Sequence, residues 1–141
     1  MKIVLAAALA LLAGPALAQG SSEKIAIDVG KAAWDKFPTL AASANSTDYA
    51  ALSMLVSEIL ASGKCTVANQ SAKHFDITVP YAAMVEPDGK ISRILVSDIG
   101  CRPIEELVGY TVLTRARSGE FTPTGQAKAR WYAGELNTNL E

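Results

Sequence analysis

Residues 75–98 read FDITVPYAAMVEPDGKISRILVSD. Phe75, Ile77, Val79, Tyr81, Ala83 and Val85 fall on every second position, with Asp76, Thr78, Pro80 and Glu86 between or after them. A period of two is that of a strand with one buried face. Pro80 has no N–H to give to a ladder, which predicts an edge or a bulge there. Pro87-Asp88-Gly89 is a turn with a mechanism, since proline presets φ and glycine accepts positive φ. Ile91 to Asp98 then returns as the second arm of a hairpin, with Ile94 and Val96 on one face.

Working outward from that hairpin, Cys101-Arg102-Pro103 leads into a helix, proline suiting a first turn. Ile104, Leu107, Val108, Val112 and Ala116 form its apolar stripe, and Gly119 closes it. A final strand is expected from Ala129 to Leu140, with Tyr132, Leu136, Thr138 and Leu140 sharing a face and Gly134 marking a bulge. Upstream, Leu52, Leu55, Val56 and Ile59 make an amphipathic helix from Asp48 to Ala61, capped by Ser46 or Thr47 and ended by Gly63. Cys65–Ala68 reads as a short strand. Lys24–Phe37 carries both periods: Ile25, Ile27 and Val29 alternate, while Val29, Ala33, Trp34 and Phe37 fit helical spacing. The helical reading is preferred, broken before Pro38. The expectation is an α+β fold. It is a small two-layer domain whose antiparallel sheet holds the hairpin and a final edge strand, preceded by N-terminal helices.

Met1-Lys2, the apolar run Ile3–Ala13, the break at Gly14-Pro15 and the small residues Ala16 and Ala18 have the layout of a cleavable secretory signal, cut before Gln19. The run is well short of the roughly 20 apolar residues that span a bilayer. The expected division is a signal peptide at 1–18, an N-terminal extension at 19–47 and an α+β domain at 48–141. An exported chain with two cysteines predicts a Cys65–Cys101 disulfide. The location expected is periplasmic or secreted. With 13 basic and 14 acidic residues, nothing points to nucleic acid or an anionic membrane surface as partner. No second apolar stretch predicts a membrane span in the mature chain.

Catalytic and cofactor motifs are missing from the sequence: no phosphate-cradling loop, no nucleophile elbow, no metalloprotease helix. His74 stands alone at a strand end, without an evident acid or nucleophile. Glu105 and Glu106 are adjacent on a helix and point about 100° apart, so they suit the helix dipole better than acid–base work. Two cysteines and one histidine fall short of a structural zinc set. The reading is therefore of a protein that is not an enzyme and needs no cofactor or metal. Arg115, Arg117, Lys128 and Arg130 form a solvated basic cluster. Trp131-Tyr132 on a strand sends one ring to the core and the other to the second face. A covering helix is expected over that second ring; an uncovered one would be a binding anchor. Asn45-Ser46-Thr47 and Asn69-Gln70-Ser71 match the glycosylation pattern.

The stretch from Phe75 to Leu140 resembles the C-terminal domain of the TonB energy-transducer family. The likeness rests on the Asp88-Gly89 hairpin turn, the helix, Phe121-Thr122-Pro123 after it, and the last strand. It implies a β-β-α-β core whose final strand lies at the sheet edge and pairs with an extended segment of an outer-membrane receptor. Onto this sequence it carries a pairing edge within Ala129–Leu140, represented by Ala129, Trp131, Tyr132, Leu136, Asn137 and Leu140. Transducing members keep a membrane helix and a proline-rich spacer; this leader looks cleavable, and Pro38 is the one proline between it and Pro80. A free-standing module that binds another envelope protein is the expectation. A periplasmic small-ligand carrier and a structural accessory protein are the alternatives.

Overall fold

The computed structural model describes residues 24–40, 49–121 and 125–141. The expected secretory leader, the Asn45 sequon and the Ser46/Thr47 cap lie outside them. In chain order come β1 (Ala26–Gly30), a single 3-10 turn (Trp34–Lys36), α1 (Tyr49–Ala61), β2 (Phe75–Val85), β3 (Ile91–Ser97), α2 (Arg102–Arg117) and β4 (Arg130–Leu140). The strands form one sheet in the order β1-β3-β2-β4. β2 is antiparallel to both of its neighbours, and β1 runs parallel to β3. The fold is α+β, with a mixed sheet in place of the purely antiparallel one expected.

The hairpin forms as its periodicity demands. All six alternating residues of β2 are buried, together with Ile94 and Val96 of β3. Gly89 takes φ 84° at the turn, and its N–H donates to the Glu86 carbonyl at 2.8 Å. Both helices cover this one face. Ile104, Val108 and Val112, one turn apart along α2, are fully buried, as is Val56 of α1. Side chains of that size contribute roughly 1.5–3 kcal/mol each when withdrawn from water. Ser53 of α1 and Thr138 of β4 are buried among them and share a hydrogen bond of 2.8 Å.

Four local expectations give way to tertiary context. Ala26–Gly30 is a strand, because Ile25, Ile27 and Val29 can pack on the core while the backbone ladders onto β3. The helical match at Ala33, Trp34 and Phe37 yields one 3-10 turn. Cys65–Ala68 has no strand partner among the described residues and stays irregular. Pro80 sits on a central strand, but one residue before the β3 ladder begins at Tyr81↔Val96. Its missing N–H falls where the ladder to β3 stops.

Gly134 marks no bulge, since the β2–β4 register is unbroken from Phe75↔Leu140 to Val85↔Arg130. The irregularity lies instead between Met84 and Val85 on the β3 side. Gly134 is there because Tyr81 crosses it: a Cβ at 134 would meet the Tyr81 Cζ and Oη at 2.6 Å.

Cys65 and Cys101 are disulfide-bonded, with Cα atoms 5.4 Å apart. The bridge ties the loop after α1 to the start of α2. Glu105 secures the same place, its buried carboxylate accepting the Ile99 N–H at 2.9 Å and the Cys101 N–H at 3.1 Å.

Candidate interaction edge on the last strand

β4 ends the sheet, so one side of its backbone faces away from β2. Ala133 fixes which residues do so. Its N–H donates to the Pro38 carbonyl at 2.9 Å, and its carbonyl accepts the Leu40 N–H at 2.7 Å. Both groups therefore point outward. Because the groups of successive residues alternate sides along an antiparallel strand, those of Glu135, Asn137 and Asn139 point outward too. The even-numbered residues bond to β2.

The outer edge is only partly open. After β1 the chain crosses the helix-free face, puts the Trp34 turn against β2, and reaches β4 with Thr39 bridged in parallel to Ala133. Leu40 then turns into the core and is buried. Residues 38–40 form a strap over the middle of the edge. Among the described residues nothing else bonds to it, and the outward groups of Glu135, Asn137 and Asn139 have no backbone partner there.

This stretch borders a shallow, mostly apolar groove between α1 and the end of β4, lined by Ala50, Ser53, Met54, Ser57, Glu58, Asn139 and Leu140. Met54 is 67% exposed and Leu140 38%. On the opposite face, Glu135 and Asn137 are solvent-facing. The Asn137 amide donates to Thr78 Oγ1 at 2.8 Å and to Asp76 Oδ1 at 3.3 Å. That bracing holds the edge flat against β2.

The six residues expected along the pairing edge divide accordingly. Asn137 offers outward backbone groups, and Leu140 offers an apolar side chain beside the groove. Ala129 is exposed just before the strand. Tyr132 and Leu136 are buried, and their backbone groups serve the β2 ladder, so they are structural. Trp131 lies on the helix-free face as the alternation requires, half-buried. Its cover is Phe37, with ring centroids 6.2 Å apart, and the Arg93 guanidinium at 5.9 Å. Arg93 is oriented by Asp28 at 2.9 Å, and Trp34 packs edge-on to Phe37. One 3-10 turn thus replaces the expected helix over Trp131.

The basic cluster is less uniform than its sequence. Arg115 is half-buried, bonds Glu120 at 2.6 Å and lies over the Phe121 ring, while Lys128 and Arg130 are exposed. His74 is exposed and closes a turn with Ser71. Glu106 pairs with Arg102 on the surface at 2.9 Å, away from the buried Glu105 carboxylate. Asp88, at the hairpin tip, has its carboxyl held below the ordinary range, first by the Lys90 backbone N–H and then by the Lys90 ammonium. Among the described residues no three His, Cys, Asp or Glu side chains gather to hold a metal, and no helix is long and apolar enough to cross a membrane.

Sequence reading missed the strap and Met54. Pro38-Thr39-Leu40 carried one usable signal, a proline that limits its segment to an edge position. The chain matches no family model, no curated protein and no solved structure.

Proposed function

We propose that this chain is an exported, protein-binding module of the bacterial envelope, similar to the C-terminal domain of TonB energy transducers, that takes up an extended segment of a partner along β4. The observation that carries this reading is the outward backbone of Glu135, Asn137 and Asn139, to which no described residue bonds, beside the Met54–Leu140 groove. Three outward N–H groups and three outward carbonyls can bond to an added strand. Each such bond is worth about 0.5–1.5 kcal/mol net. Alternate side chains of that strand rest in the apolar groove, which gives the choice of partner. The order β2-β3-α2-β4, with the last strand outermost, is the one that the family resemblance calls for. The layout of the leader and the disulfide agree with an oxidising compartment outside the cytoplasm.

The edge itself supplies the test. The Asn137 N–H serves no internal ladder, so Asn137→Pro removes an outward donor and blocks close approach, while Asn137→Ala removes only the side-chain bonds to Asp76 and Thr78. Cross-linking and co-purification from an envelope fraction should capture a partner with the parent and with Asn137→Ala. Capture should fall about tenfold for Asn137→Pro, as one lost bond and a steric block imply. Equal capture by all three proteins, or no partner under any condition, would refute edge pairing.

A further inference from the structure

The sheet has a second end. The Gly30 carbonyl accepts the Asp98 N–H at 3.0 Å, so Gly30 faces β3. By alternation Asp28 and Ala26 do as well, and the N–H and carbonyl groups of Ile27 and Val29 face outward. Among the described residues nothing bonds to them. Alongside runs a groove between β1 and the C-terminal half of α2, with Ile25, Ile27, Tyr110 and Leu113 in its walls and Lys24 and Arg117 at its rim. Gly109 draws α2 down onto β1: a Cβ there would meet Ile27 Cγ2 at 2.5 Å. Tyr110, on the next position, is left 63% exposed. Lys24 and Arg117 are both exposed, and neither has an acidic or hydrogen-bonding partner among the described residues.

From these features we infer a second strand-accepting site, at the outer edge of β1, for an extended segment of another protein that alternates apolar and acidic residues. Backbone bonds form to Ile27 and Val29. Every second side chain of the added strand faces the groove, where apolar ones cover Ile27 and Leu113 and carboxylates meet Lys24 and Arg117. These two cations choose against a basic segment, because bringing like charges together is costly. The site is separate from the β4 edge, which lies beyond β3 and β2, so the molecule can hold two extended segments at once.

The probe is a capped, fluorescent seven-residue peptide with Glu, Val, Val and Glu at alternate positions and Thr between them, followed by anisotropy. Binding should weaken several-fold between low and high salt. A peptide with Lys for each Glu should not bind. Lys24→Glu with Arg117→Glu should weaken binding by about tenfold or more, given two exposed pairs reversed. Val29→Pro, which removes an outward donor together with the branched side chain, should do likewise, and Val29→Ala, which removes the side-chain packing alone, is its control and should still bind. Asn137→Pro on β4 should change nothing, which separates this site from the envelope-partner reading. The inference is overturned by equal binding of the Glu and Lys peptides, or by indifference to the charge reversal. It is equally overturned by loss of binding in Asn137→Pro, or by a dimer formed through β1 that excludes the peptide.

Discussion

Gly134→Ala is the sharpest test of how β4 is held in register. In an ordinary strand this change stabilises a protein by about 0.4–1 kcal/mol, because alanine restricts the unfolded chain. Gly134 has an unexceptional φ, so no backbone conformation forbids the substitution. The obstacle is Tyr81. The new Cβ would stand 2.6 Å from Cζ and Oη of its ring, about 1 Å inside ordinary carbon contact. The ring has little room to retreat: it is 2% exposed and lies 6.5 Å from the equally buried Phe121 ring. Overpacking of this kind costs about 1–3 kcal/mol. A net loss of about 1–2 kcal/mol follows, and at roughly 4 °C per kcal/mol for a domain of this size, Tm falls by about 4–8 °C. Thermal and urea denaturation of the parent, Gly134→Ala, Tyr81→Leu and the double variant complete a cycle. In the Tyr81→Leu background the alanine should become neutral or stabilising, a coupling of about 2 kcal/mol. A Gly134→Ala protein as stable as the parent would show that Tyr81 does not pin the register.

Cys101→Ser should cost up to about 4 kcal/mol, the chain-entropy value for a 36-residue separation, and reductant should lower the Tm of the parent but not of the variant. Ser53→Ala strands the buried Thr138 hydroxyl and should cost about 1–3 kcal/mol, most of which Thr138→Val restores in the double variant by removing the orphan. The depressed Asp88 carboxyl stabilises the fold above its unfolded pKa, an effect lost as pH falls through the lower folded value. A carbon-detected NMR titration should therefore place its midpoint below 3.8, and Asp88→Asn should flatten the acid limb of stability there.

The elements legible in the sequence were those whose pattern is local. β2 announces itself through six apolar residues at period two, and α2 through Ile104, Val108 and Val112 one turn apart; each needs only its own window. The cysteine pair was legible because an even count, in a chain with the layout of an exported one, leaves one pairing. β1 was not, since its partner β3 lies more than 60 residues downstream. Within its own window, Ile25, Ile27 and Val29 compete with an equally good helical match through Trp34 and Phe37. Gly134 illustrates a different limit. Its role depends on which residue of β2 lies opposite, and once the register puts Tyr81 there the glycine stops looking like a bulge. At the candidate site, the position of β4 at the sheet end followed from the resemblance. Which of its residues face out did not, because that phase is fixed by Ala133 bonding to Pro38 and Leu40. Hence Tyr132 and Leu136 were grouped with Asn137, although they serve the core.

On the proposed edge-pairing reading, the strap also decides how long a partner segment the β4 edge can take. An exposed edge invites promiscuous pairing, and here the middle of it is closed by the chain itself. The stretch to which no described residue bonds, Glu135–Leu140, is six residues, about 20 Å of strand. A longer segment must displace residues 38–40. That costs the burial of Leu40, about 1.5–3 kcal/mol, and two backbone bonds at about 0.5–1.5 kcal/mol each, although the incoming strand replaces those bonds. The unreplaced part is the Leu40 side chain, equivalent to roughly ten- to a hundredfold in affinity. On the edge-pairing reading, short segments that stop before Ala133 are favoured over long ones by that factor. On that reading the selectivity arises from a residue that never touches the partner, and Leu40 is part of the proposed site even though it lies in the core.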